Sequence, residues 1–368
     1  MTVSLADPFA ARPGAVGSPP QHYGTHVAEQ RALAAGTAVV LLADRGVITV
    51  AGPDRLTWLD SLMSQSLAKL QPGESAEALL LDPQGRIEHV MRVLDDGETA
   101  WLLVDASAAP ALAAWLDRMR FMLRVEVADR SAEFATIGDL GSGELPHAVG
   151  AGGTPLQWVD PWPSVVVGGV QYASETAHPA VLYTWRETLI ERERLGEFAG
   201  TAAAGTLAAD ALRIAAWRPG FAGEVDERSI PHELDWLRSA VHMNKGCYRG
   251  QETVAKVHNL GHPPRRLVML HVDGSDSIVP AVGDGVVLAG ADADASVGRI
   301  TSAATHHELG PIALAVVKRS VDPSATLEII HDGERVTAAQ EVIVPPSAGA
   351  TADVPRLPRP GRRGVGAS

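Results

Sequence analysis

The hydrophobic pattern changes character at residue 267, and this change constrains the fold more than any other feature of the sequence. From Leu267 to Val344 no helical period is found. Short Val- and Ile-rich runs alternate with Gly, Asp and Pro turns, the pattern of an all-β sandwich or barrel. Upstream, strands and helices intermix. A chain of 368 residues exceeds what one hydrophobic core normally serves, so several domains are expected.

The upstream part divides again by its patterning. His26–Ala35 reads as a helix stopped by Gly36. The apolar runs Val39–Leu42 and Val47–Val50 flank a turn signal, Ala-Asp-Arg-Gly. Asp54 is placed to cap a helix running to about Gln65, with Leu56, Leu59, Leu62 and Met63 at helical spacing. Strands Ala78–Leu81, Ile87–Leu94 and Ala100–Val104 follow. They are separated by the turns Asp82-Pro83-Gln84-Gly85 and Asp95-Asp96-Gly97. A helix at Pro110–Met119 and a strand at Leu123–Val127 complete a small α+β unit over 51–130. Strands at Phe134–Ile137 and Val165–Tyr172 are expected next, around a Gly-rich loop at 141–153, then helices at about 179–195 and 201–216. The Pro- and Gly-containing ends, 1–21 and 345–368, read as disordered tails, the second rich in Pro and Arg.

Charge and cysteine content exclude several functions. With 31 Lys+Arg against 44 Asp+Glu the net charge is −13, which argues against a broad nucleic-acid surface, and direct nucleic-acid binding is not expected. No apolar run approaches the length of a membrane helix, and the N-terminus has no secretory pattern, so a cytoplasmic protein without a membrane partner is expected. One cysteine rules out an internal disulfide framework and a cluster held by several of the chain's own thiolates. His258 and His262 have helical ligand spacing, but Gly261 and Pro263-Pro264 interrupt the helix they would need, so no metal site is expected.

That cysteine sits in Asn244-Lys245-Gly246-Cys247-Tyr248-Arg249-Gly250-Gln251-Glu252. In an extended stretch Lys245 and Arg249 would share its face, and nearby cations favour the reactive thiolate. The competing reading of Cys247 is a small core residue. Tyr248 offers a ring and a hydroxyl. Trp217 reads as core or as a stacking surface for a flat ligand. Arg213 reads as a carboxylate binder or as the i,i+3 partner of Asp210.

The octet Lys-Gly-Cys-Tyr-Arg-Gly-Gln-Glu resembles the signature of the YgfZ family of folate-binding proteins, whose fold is that of the glycine-cleavage aminomethyltransferase, or T-protein. Gly52-Pro53-Asp54-Arg55-Leu56, Leu81-Asp82-Pro83-Gln84-Gly85-Arg86-Ile87 and Leu212-Arg213-Ile214 through Pro219 are similar to further family signatures. His232-Glu233-Leu234-Asp235-Trp236-Leu237 and the tail look actinobacterial. The resemblance implies an α+β, three-domain cloverleaf around a central hole, with two ferredoxin-like α+β domains and a C-terminal β-barrel or jelly-roll-like domain. The implied divisions are 22–50 plus 131–260, 51–130, and 265–344.

It further implies tetrahydrofolate or a one-carbon derivative in the hole, and support of iron–sulfur cluster assembly or repair, indirectly of tRNA modification. Partners would be iron–sulfur proteins or their assembly factors. Cys247 and Lys245 would be the catalytic pair. Tyr248, Arg249, Gln251, Glu252, Arg213, His89, Arg86 and Trp217 would contact folate. The alternatives are a folate-dependent aminomethyl transferase and a non-catalytic ligand-binding or docking module. Two positions depart from the transferase pattern: His89 stands in place of an Asp, and Ala215 in place of a Glu.

Overall fold

The structure is a computed structural model that describes residues 7–174, 178–274 and 278–352. Two mixed α/β layers and a closed barrel make up the chain. The first sheet has the order β10 (Ala202–Ala203), β1 (Ala38–Leu41), β7 (Phe134–Asp139), β9 (Arg186–Glu191), β8 (Gln157–Val159). The second runs β3 (Ser75–Leu81), β4 (Ile87–Asp95), β5 (Thr99–Asp105), β2 (Arg45–Ala51), β6 (Glu126–Asp129) and is antiparallel throughout. The barrel closes in the order β11 (Arg265–Val272), β14 (Gly310–Lys318), β13 (Gly298–His306), β12 (Gly285–Leu288), β15 (Leu327–His331), β16 (Glu334–Val342). Among the described residues the α-helices are α1 (His26–Ala34), α2 (Arg55–Leu62), α3 (Ala109–Met119), α4 (Thr206–Ala215), α5 (Phe221–Glu224) and α6 (Gln251–Leu260).

Period-2 alternation splits the second sheet between two cores. In β5, Leu102 and Val104 join α2 and α3 on one face, while Trp101 and Leu103 face the first sheet. The barrel has its own interior, built on Val268, Leu270, Ile300 and Ile329. It docks on the rest of the chain through a bulge. The β13–β14 register shifts between Ile300 and Ser302, and Gly223 of α5 lies so close that a Cβ there would fall 2.6 Å from the Thr301 carbonyl oxygen. Ser302 beside the bulge donates to Glu224 at 2.6 Å and accepts from Arg213 at 2.9 Å.

Several sequence expectations are corrected. β1 and β2 do not pair with each other: β1 joins β7 and β10, whereas β2 joins β5 and β6. The cut at residue 50 therefore assigns β2 to the wrong sheet. The helix expected at 179–195 is a 3-10 turn, then strand β9, then a second 3-10 stretch at Arg192–Phe198. β9 lies between β7 and β8, and its residues 187–190 are all buried, so no alternation is visible in the sequence. The helix expected from 201 begins only at Thr206, after the short strand β10.

Residues 165–172 turn rather than extend, because Gly168 takes φ +76 and packs on His242. The strand expected at Leu123–Val127 lies at Glu126–Asp129. α2 ends at Leu62, and Asp54 gives its carboxylate to the Arg124 backbone and guanidinium instead of capping the helix. The described parts of both ends are packed. Phe9 is fully buried against Phe198, and Thr351 donates to the His258 carbonyl at 3.1 Å. Residues 1–6 and 353–368, including the four tail arginines, lie outside the described residues.

The Asp82–Gly85 turn packs directly on the start of α6. Gly250 has φ +84, and a Cβ on it would lie 2.6 Å from the Asp82 carbonyl oxygen. A Cβ on Gly85, at φ +78, would lie 2.9 Å from Thr253 Cβ. Gly250→Ala therefore meets both a strained dihedral and a backbone clash. It is expected to lower unfolding free energy by about 1–3 kcal/mol. Urea denaturation measures this, and an unchanged midpoint would contradict the packing.

Candidate functional site

Between the two sheets, α4 and α5 lies a cavity of about 350 Å³. That is toward the lower end of the roughly 300–1,000 Å³ typical of small-molecule pockets. Its wall includes Tyr183 and Trp185, whose rings stack at 5.9 Å, together with Phe221 and Trp236. Two sets of buried ion pairs cross beneath it. Arg45 of β2 binds Glu187 of β9 in a two-pronged bond at 2.9 and 3.1 Å, and Arg92 of β4 lies 2.9 Å from the same carboxylate. Arg218 holds Glu77 of β3 at 2.6 Å and Asp160 at 2.9 Å, and its guanidinium lies 5.0 Å from the centroid of the Trp162 ring. Ser239 occupies the second oxygen of Glu77.

Burial alone would push Glu187 up, but the Arg45 and Arg92 guanidiniums outweigh it and hold the carboxyl at about 2. Asp160 goes the other way: burial, helped by neighbouring Glu77, outweighs Arg218 and pushes it up to about 6.

These carboxylates are consumed by the protein itself. What is left over is on the donor side: Arg218 Nη1 and Trp236 Nε1 are buried without a hydrogen-bond partner, and both residues line the cavity. Aromatic walls plus spare donors fit a flat ring that presents a carbonyl, which a pterin does. Arg213 also lines the cavity, but it is fully engaged with Asp210 (3.2 Å), Glu224 (3.2 Å), the Arg218 carbonyl (2.9 Å) and Ser302. The i,i+3 pair with Asp210 exists, and the same guanidinium ties α4 to the barrel. His89 stacks on Phe221 with centroids 6.4 Å apart, and burial draws its pKa below the usual value, leaving a neutral ring at pH 7. Trp217 belongs to the core. It donates to Met269 Sδ at 3.2 Å and packs edge-on to His178.

The cysteine loop is a second place, because none of its residues lines the cavity. Cys247 is exposed, with its thiol free, so it is not a core residue. The loop turns instead of extending, and Lys245 points inward. Its ammonium donates to the carbonyls of Asp60, Met63 (2.8 Å) and Gln65 (2.7 Å), with the Asp60 carboxylate at 3.3 Å. The cause is local: α2 ends at Leu62, the last turn of a helix leaves carbonyls unpaired, and a three-donor cation satisfies them. Lys245 is thus an anchor for the loop and not a neighbour on the cysteine's face.

Tyr248 is buried, with the Lys245 ammonium 5.5 Å from its ring centroid. Arg249 pairs with Glu88 of β4 at 2.6 Å. Gln251 donates to the Lys245 carbonyl at 3.3 Å. Glu252 and Arg86 are exposed, Arg86 following the Asp82–Gly85 turn. Sequence reasoning passed over the charges beneath the cavity, and period-2 alternation set Glu88 on the strand face opposite His89 without finding its partner Arg249. The available signal was a charge inside an apolar strand: Glu77 in Ala-Glu-Ala-Leu, Arg92 in Val-Met-Arg-Val and Glu187 in Trp-Arg-Glu-Thr-Leu. Among the described residues no cluster of His, Cys, Asp or Glu could hold a metal ion. No described helix is long and apolar enough to cross a membrane.

Glu187→Gln leaves Arg45 and Arg92 buried without their shared counter-charge. The carboxyl is depressed from 4.5 in the unfolded chain to about 2 in the fold. Its contribution is therefore present above about pH 4.5 and disappears as pH falls toward 2. The variant should lose on the order of 3 kcal/mol at pH 7. The gap from the parent should narrow steadily below pH 4.5 in parallel urea titrations, and a gap independent of pH would contradict this origin.

Residues 265–346 match the glycine cleavage T-protein C-terminal barrel domain. An iron-sulfur cluster assembly factor IBA57 homolog, mitochondrial, from Mycosarcoma maydis is 26% identical over 61% of this chain, and the aligned stretch is 55% of that relative's own length. An aminomethyltransferase from Moorella thermoacetica is 27% identical over 89% of this chain and 90% of its own. The crystal structure of the glycine cleavage system aminomethyltransferase T from Bartonella henselae superposes with a TM-score of 0.67, at 17% identity, over 89% of this chain and 93% of that one. The chain therefore has the aminomethyltransferase-like fold, completed by a closed six-stranded barrel of the T-protein C-terminal type.

Proposed function

We propose that this protein is a folate-binding accessory factor for iron–sulfur cluster assembly or repair, with Cys247 as the group that meets the client. The observation that carries the proposal is the state of that cysteine: a lone, exposed thiol on a loop whose root is fixed by the Lys245 ammonium in a cage of three carbonyls. A side chain kept solvent-facing on a rigid base suits contact with another macromolecule. One thiolate cannot supply the usual set of cluster ligands, so the remaining ligands come from the client, and the cluster is cargo. A relative named as an iron-sulfur cluster assembly factor supports the reading. The effect on tRNA modification would follow through iron–sulfur enzymes.

The cavity is the place for the folate. Tyr183, Trp185 and Phe221 would flank the ring, and Arg218 and Trp236 would supply the spare donors to its carbonyl oxygen. When bound, folate supplies a carrier for one-carbon units.

A second reading, aminomethyl transfer, is favoured by relatives named aminomethyltransferase that align along most of the chain. Two departures from the transferase pattern weaken it. A neutral, half-buried His89 supplies a nitrogen but no fixed negative charge, and Ala215 supplies no acceptor.

In a strain lacking the gene, the parent protein should restore the activity of a [4Fe–4S] enzyme, whereas Cys247→Ser should leave it near the deletion level. Full restoration by the serine variant would overturn the role of the thiol. Titration with tetrahydrofolate, followed by tryptophan fluorescence, should saturate. Phe221→Ala should weaken binding by about two- to tenfold through loss of the aromatic wall. Turnover of methylenetetrahydrofolate with an amine donor above a no-enzyme control would favour the second reading.

A further inference from the structure

The start of β4 connects the two halves of the site. Leu81 pairs with Ile87, but Leu80 pairs with His89, so Glu88 is an extra residue opposite no partner: a β-bulge falls on it. A bulge breaks the alternation and re-aims a side chain, and bulges concentrate beside functional sites. Here the re-aimed carboxylate reaches Arg249, two residues after Cys247, through bonds of 2.6 and 3.3 Å to the two ends of the guanidinium. The next residue, His89, is half-buried and stacks on the cavity wall at Phe221. The turn just before the bulge abuts Gly250 and Thr253 at the other end of the loop. The cysteine loop is thus held at its root by Lys245, at its far end by the glycine contact, and at Arg249 by Glu88.

We infer that Glu88 is a positioning residue for Cys247: presented by the bulge, it fixes Arg249 and with it the orientation and charge environment of the thiol. This rests on Cys247 being the functional thiol and adds the residue that sets its geometry. Both partners are about one-third exposed, at 36% and 38%, so the pair is of the modest, salt-sensitive kind. Its loss is local and leaves the fold intact.

The chain has one thiol, so alkylation by iodoacetamide followed by intact mass reports Cys247 alone. In Glu88→Gln the freed loop and the released Arg249 cation act in the same direction. The alkylation rate at low salt should rise by about two- to fivefold, the range open to an exposed ion pair. In about 1 M salt the parent should approach the variant's rate. The double swap Glu88→Arg with Arg249→Glu should return the rate to within about twofold of the parent, which assigns the change to the 88–249 pair and not to loss of the glutamate side chain by itself. Thermal midpoints of all three proteins should agree.

An unchanged rate in Glu88→Gln, or a swap that behaves like the single variant, overturns the inference while leaving the reading of Cys247 standing. Restoration of iron–sulfur enzyme activity by Cys247→Ser overturns that reading while leaving the alkylation result in place.

Discussion

Everything in this molecule hangs on guanidinium groups buried between its two sheets. Arg45 and Arg92 project from the second sheet onto Glu187 of the first, and Arg218 reaches Glu77 of the second sheet while it holds Asp160. Apolar packing would bring the sheets together in many registers, because hydrophobic burial has no direction. Pairs of this geometry have one solution, since a carboxylate misplaced in a dry interior stays uncompensated. The same pairs set the character of the cavity above them. They engage Glu187, Glu77 and Asp160 and leave Arg218 Nη1 without a partner.

The barrel and the second sheet were legible in the sequence, for a physical reason. Each has strands with one face in a core and another in a different setting, and turns punctuated by Gly, Asp and Pro. Of the first sheet only β1 and β7 were legible. β9 is buried on both faces, carries Glu187 in its middle and is followed by a 3-10 stretch, so its spacing imitates a helix. The pairing of β1 and β2 with different sheets was equally hidden, because a short turn between two apolar runs looks the same whether or not the runs meet. At the site, the octet was found because its residues are adjacent in the chain. The role of Lys245 was misread because its partners, the carbonyls at the end of α2, lie some 180 residues away and backbone oxygens leave no trace in a sequence. The bulge at Glu88 and its pairing with Arg249 escaped for a related reason: a bulge is a property of pairing, and period-2 reasoning assumes its absence.

The fold separates two places that the sequence motif suggested were one. A cavity with aromatic walls is suited to a small planar molecule. An exposed thiol on a braced loop is suited to a macromolecule. The two are joined through a single stretch of strand, in which Glu88 faces the loop and His89 faces the cavity wall. Under the proposed function, a small molecule in the cavity and a protein at the loop would not compete for space.

The closed barrel has a consequence for how the chain behaves in a crowded solution. Its six strands leave no open hydrogen-bonding edge, so this domain offers no template on which another chain's strand can extend it. The first sheet reaches a similar result by brevity, ending in β10 with two residues and β8 with three. The seven-residue β3 and the four-residue β6 are the longer exposed borders, and β3 is covered in part by the Trp158 indole, which donates to the Ala76 carbonyl at 2.8 Å. That indole occupies a carbonyl on a border that another strand could otherwise extend.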